Sequence, residues 1–148
     1  MATKGMVKVV FPLDPGAWHG SLTESLWATP TGEGRYRLEN TPFYALGVSY
    51  MDTVTAREDH GSWVFTGVAT RGGHSTYRVI PRATLEIVTT HWAPLHAAGC
   101  TYEEGARGLR AVDVPPQSDV SEVYRLLEAG EAAGVWYFEE GHCGHPVA

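Results

Sequence analysis

The residues best able to do chemistry gather in one short run, "EEGHCGHP", where His142, Cys143 and His145 fall within four positions. Imidazole and thiolate both ligate zinc, and three protein donors plus water would make an open metal site. Without a metal, the same group reads as a nucleophile, Cys143, with histidines beside it to lower its pKa. A third histidine, His74 in "RGGHSTYR", joins them if the strand it starts lies beside the strand that runs into the tail; Ser75 and Tyr77 would then supply hydrogen bonds. Two points oppose these readings. Zinc signatures usually pair two separated clusters, and adjacent residues such as His142 and Cys143 point to opposite faces of an extended chain. The plain structural reading is that these side chains pin the tail through hydrogen bonds to main chain, with Gly141 and Gly144 allowing a tight turn. On that reading no cofactor is expected; zinc is the alternative.

A second group lies in "WHGSLTESLWA", where Trp18, His19, Glu24 and Trp27 are close in sequence. Aromatic rings with a carboxylate and an imidazole are common in small-ligand pockets. Glu24 against Trp27 could be a carboxylate of raised pKa, suited to acid–base work. The simpler reading puts Trp27 in the core of a strand and His19 in a turn. The glycines of "RGGHSTYR" precede a strand and do not open a helix, so they make a poor phosphate cradle; a joint between two halves of the chain suits them better.

These groups need elements to position them. "MVKVVFPL" alternates, with Val7, Val9 and Phe11 on one face, and ends at Pro12 and the turn-forming "DPG". "ESLWAT" and "RYRLENT" across "TGEG", then "DTVTARE" and "SWVFTGVAT", give four further strands. Five short strands punctuated by turns suggest a small sandwich or partly open barrel over residues 1–72. From His74 the rhythm changes. "HSTYRVI" is a strand. Leu85, Val88, Trp92 and Leu95 recur at helical spacing, although Pro94 and the β-branched "IVTT" leave a strand at 84–90 open. "CTYEE" and "LRAVDVP" form a strand pair. "SDVSEVYRLLEAGEAAG" is a helix capped by Ser118 or Asp119, with Val120, Val123, Leu126 and Leu127 as its apolar stripe and Gly134 as its stop. "VWYFEE" is the last strand. The order strand–helix–strand–strand–helix–strand over residues 73–148 is ferredoxin-like (βαββαβ). Its first and last strands are antiparallel neighbours, which is what brings His74 to the tail. The expected fold class is α+β, a small β-barrel-like half followed by a ferredoxin-like half.

Composition bounds the function. The chain has 148 residues, 43% hydrophobic and 19% charged, enough for a packed core. A net charge of −6 with scattered basic residues argues against nucleic acid and anionic membrane surfaces as partners. Two cysteines make no disulfide framework, residues 1–13 lack a signal-peptide pattern, and no stretch approaches the roughly 20 apolar residues of a membrane span. A cytoplasmic protein is expected.

Three stretches together, "WHGSLTESLWA", "GVSYMDTV…GHSTYRV" and "EEGHCGHP", resemble a bacterial family known as domain of unknown function forty-two sixty-five. One departure is at Met51-Asp52, where family members commonly carry Gly-Asp. The resemblance implies a small bacterial domain and no established activity. The expected function is a binding or regulatory module for a small molecule or a partner protein. The alternative is an enzyme of specialised metabolism that uses the His74, His142, Cys143 and His145 group, with or without a metal. Whether the protein is an enzyme stays open from sequence.

Overall fold

The computed structural model describes residues 5–146; the outermost residues of the two expected units, 1–4 and 147–148, lie outside the described residues. The fold is α+β, with two sheets and two α-helices among the described residues. Strands β1 (Val7–Pro12), β2 (Thr23–Gly32), β3 (Arg35–Leu38), β4 (Thr53–Asp59) and β5 (Ser62–Thr70) pair in sequence order. β1 also pairs in parallel with β5, Val9 opposite Trp63, so the five strands close into a barrel. Alternation decides what fills it: Val9, Phe11, Leu26, Ala28, Tyr36, Leu38 and Val54 point inward. Closure leaves the barrel without open strand edges.

The second sheet comprises β6 (Ser75–Pro81), β7 (Thr101–Glu104), β8 (Arg110–Val114) and β9 (Trp136–His142), in the order β7-β8-β6-β9 with every pairing antiparallel. Helices α1 (Leu85–Ala97) and α2 (Val120–Ala132) cover one face. Their buried stripes, Val88–Trp92–Leu95 and Val120–Val123–Leu127, pack on Tyr77, Val79, Val112, Val114 and Trp136. Leu85, expected in the first stripe, stands 74% exposed. The open alternative of a strand at 84–90 is not what forms: α1 runs through Pro94. That ring forfeits one intrahelical bond, and the burial of Trp92 and Leu95 offsets it. Asp119 caps α2, its carboxylate accepting from the Ser121 and Glu122 amides. Trp136 lies wholly buried beneath Gly130, where an added Cβ would meet the indole at 2.3 Å.

The other face of this sheet meets the barrel, so β6 is buried from Ser75 to Val79. The junction is polar and made from segment 39–52, which has no regular structure. The Glu24 carboxylate accepts the amides of Phe43 (2.6 Å), Tyr44 (3.0 Å) and Ala45 (2.8 Å) from the barrel side. From the sheet side, Arg78 donates through Nε and Nη2 to the carbonyls of Phe43 and Ala45. Asp52, fully buried, fastens the next corner: it accepts from Ser49 N (2.9 Å), Gly72 N (2.8 Å) and Arg71 Nη1 (3.1 Å). The Arg71–Gly73 joint is therefore tied down and not free to swing. No helix among the described residues is long and apolar enough to cross a membrane.

Candidate functional site

One extra residue in β9 decides where the tail side chains go. Tyr77 pairs with Glu140 and Thr76 with His142, which leaves Gly141 unpaired between them. Regular alternation would put Glu140 and Cys143 on opposite faces; the extra residue puts both on the helix side. A side chain at Gly141 would collide with the Arg78 guanidinium, its Cβ only 2.6 Å from Nη1. Glycine is therefore required there by close approach.

Glu140 and Cys143 line a cavity of about 390 Å³ with Tyr77 of β6 and Val120, Ser121 and Tyr124 at the start of α2. Two phenol rings form part of its walls. Tyr124 packs edge-on to Phe138 at 5.5 Å, and the Tyr77 and Tyr124 rings are 6.4 Å apart. Tyr77 donates its hydroxyl to Glu140 Oε1 at 3.3 Å. Burial first, then the Glu140 charge, push the Tyr77 phenol well above its ordinary pKa, so it stays a neutral donor. Cys143 is half-buried and points its thiol toward the His145 carbonyl at 3.6 Å. The other cysteine, Cys100, is buried in the core, and burial pushes its thiol up to about 12.

The three histidines expected beside Cys143 have separate partners. His145 is consumed at both ring nitrogens: Nε2 donates to the Pro115 carbonyl (2.9 Å) and Nδ1 accepts from the Ser75 hydroxyl (2.6 Å). Ser75 Oγ in turn accepts from Gly144 N at 2.9 Å. His74 Nδ1 is 2.8 Å from Asp113 Oδ1, with Tyr50 edge-on at 5.2 Å. Burial raises the Asp113 carboxyl above its usual range, opposed by the His74 charge and hydrogen bond. His142 is opposite Thr76 on the barrel-facing side, its Nε2 buried without a partner among the described residues. Burial, then Arg71, lower its pKa. Among the described residues no group of three or more His, Cys, Asp or Glu side chains is placed to hold a metal ion. The structure thus brings Tyr77 and Cys143 together and leaves His74, His142 and His145 in different contacts.

The "WHGSLTESLWA" group also divides. Trp18 and His19 meet Tyr44, with centroids 6.0 and 4.5 Å away, and Trp18 Nε1 donates to Glu139 at 3.2 Å. Glu24 does not approach Trp27 as an acid–base group; its two oxygens are taken by three main-chain amides. Trp27 is not a core residue. Leu26 and Ala28 take the inward positions of β2, so Trp27 faces outward with the Lys8 ammonium 4.9 Å over its ring. Glu140, Ser121, Val120 and Tyr124 were missed as cavity residues. The signal that could have found Val120, Ser121 and Tyr124 is the first turn of α2, whose sheet-facing side must meet the end of β9.

The comparisons with known proteins fit this architecture. A family model described as a domain of unknown function (DUF4265) matches residues 24–138, from the Glu24 clamp into the first residues of β9. The fold is similar to that of a hypothetical protein from Neisseria gonorrhoeae known from its crystal structure, with a TM-score of 0.76, 15% sequence identity and 96% of each chain covered. At that identity the likeness is one of fold alone. No curated protein matches the chain. With well over half its length inside the family match, the chain belongs to the family described as a domain of unknown function (DUF4265).

Proposed function

We propose that the protein is a cytoplasmic small-molecule binding module whose ligand seats between α2 and the β6–β9 pair. On this reading the C-terminal half is ferredoxin-like, its helices covering one face and leaving a gap at the start of α2. The observation that carries the proposal is the cavity of about 390 Å³, lined by two phenols, a valine, a hydroxyl, a thiol and a carboxylate. An apolar concavity with a few convergent polar groups is the usual form of a ligand site, and this volume suits a small ligand. The cavity favours a small molecule over a partner protein.

The cavity carries its own reporter. Cys143 lines it, whereas Cys100 is buried with its thiol pushed up to about 12 and serves as a silent control. The test is disulfide exchange at Cys143 against a library of small fragments, read by intact mass. Strong selection of a few fragments, lost in Tyr124→Ala, supports the reading. Uniform modification in proportion to fragment reactivity, or none, overturns it.

A catalytic reading has one observation in its favour, the His74–Asp113 pair, in which a buried carboxylate orients an imidazole. Asp113 lies on the barrel-facing side of the sheet, away from the cavity, so this chemistry would need a different substrate site. A catalytic imidazole must be approachable. Carbethoxylation of His74 at a rate near that of the exposed His60 would favour catalysis; a protected ring would count against it.

A further inference from the structure

We infer that the ligand of this cavity is a small cation carried on an aromatic or aliphatic body, an amine or amidine, held by Glu140 and the Tyr77 and Tyr124 rings. The inference rests on the cavity being the ligand site. Its basis is the charge of the walls. Of the six lining residues Glu140 bears the negative charge, and none is Lys, Arg or His. Glu140 makes no salt bridge among the described residues, whereas Glu139, the next residue back, is 3.7 Å from Arg78. An unpaired carboxylate at the mouth of an apolar cavity is poised for a charged partner.

The helix end beside the cavity would by itself favour an anion. The start of α2 lines the cavity, and a helix N-terminus carries roughly half a positive charge with free amides. Two of those amides are occupied. Asp119 Oδ1 accepts from Ser121 N at 3.0 Å and from Glu122 N at 3.3 Å. The full negative charge of Asp119 outweighs the half charge of the helix end, and Glu140 adds another. The two tyrosine rings offer π faces, which attract cations and give nothing to carboxylates. Tyr77, held neutral, keeps its hydroxyl on Glu140 and so orients the carboxylate. The net charge of −6 favours the approach of cations over anions.

Three probes of nearly one shape separate the possibilities: phenethylamine, 2-phenylethanol and 3-phenylpropionate, each titrated calorimetrically into the wild-type protein, Glu140→Gln and Tyr124→Ala. Glu140 is exposed, and glutamine can still accept from Tyr77, so the first variant should fold normally. The expected result is that phenethylamine binds at least about tenfold tighter than the other two. Glu140→Gln should bring it down to the level of the alcohol, and Tyr124→Ala should weaken every probe. If the alcohol or the carboxylate binds as tightly as the amine and Tyr124→Ala weakens it, the cation inference fails while the cavity stands. If none of the three binds, the inference fails as well, and the fragment selection at Cys143 decides separately whether the cavity is a ligand site.

Discussion

Glu24→Gln is the substitution that most directly tests how the barrel and the sheet are joined. Oε2 of Glu24 accepts from Phe43 N, and Oε1 accepts from Tyr44 N and Ala45 N. Glutamine preserves the size and keeps one carbonyl oxygen, enough for the Tyr44 and Ala45 pair. Its NH2 group then confronts the Phe43 amide, donor against donor. One charge-assisted hydrogen bond is lost, which costs about 1.5–3 kcal/mol. The two bonds that survive now go to a neutral acceptor. Arg78, wholly buried, also loses a carboxylate whose charge supports its own. The combined loss should be about 3 kcal/mol, which for 148 residues corresponds to a fall of roughly 6–12 °C in Tm. Urea unfolding followed by tryptophan fluorescence and by circular dichroism measures it, with coincident curves expected. Arg78→Met completes a double-mutant cycle. Both side chains grip Phe43 and Ala45, so the double variant should lose less than the two singles together, by more than about 1 kcal/mol. A loss below about 1 kcal/mol for Glu24→Gln, or simple additivity, would refute the idea of one shared clamp.

Three further outcomes are expected. Met51→Gly should stabilise the protein by about 0.5–1 kcal/mol in thermal unfolding, because Met51 holds φ at +71°, a region costly to any residue with a Cβ; a loss of stability would show that the methionine side chain matters more than its backbone. Gly144→Ala should cost about 1–3 kcal/mol, since the new Cβ would meet the His74 carbonyl at 2.2 Å, and should speed exchange of the Gly144 amide that bonds Ser75; unchanged exchange would mean the tail is held elsewhere. His142 has a folded pKa below its ordinary 6.5. The unfolded chain therefore takes up this proton more readily, and the stability contribution present above pH 6.5 is lost as pH falls through the lower folded value. His142→Gln should make the urea midpoint less acid-sensitive between about pH 7 and pH 5, and an unaltered pH profile would contradict the buried setting of this ring.

Much of the secondary structure was legible because it follows from periodicity. Val9 and Phe11 alternate into the barrel, and Val120, Val123 and Leu127 recur on one side of α2. Trp27 does not join the core although the sequence suggested it, and alternation is the reason: with Leu26 and Ala28 both facing inward, the residue between them must face out. The opposed directions of His142 and Cys143 could be foreseen from an extended chain. What could not be foreseen is the unpaired Gly141, which carries Glu140 and Cys143 to one side. The clamps were also invisible. Glu24, Arg78 and Asp52 bind mainly main-chain groups, and main chain imposes no residue type on its partners, so no motif marks them.

The position of β6 sets the order in which the molecule can assemble. The barrel strands pair mostly with their sequence neighbours, and ring closure needs nothing beyond Thr70. β6 has no such local partner: Tyr77 is opposite Val112 on one side and Glu140 on the other. Pairing both edges of β6 takes two long-range joins, where the barrel needs one, Val9 to Trp63, and each join costs loop-closure entropy before any contact repays it. Refolding should therefore be biphasic, with barrel tryptophans such as Trp63 reporting a fast event and Trp136 a slow one. Until β9 arrives, β6 offers an unpaired edge to any other extended chain, so the interval between the two events is when the protein is most prone to self-association.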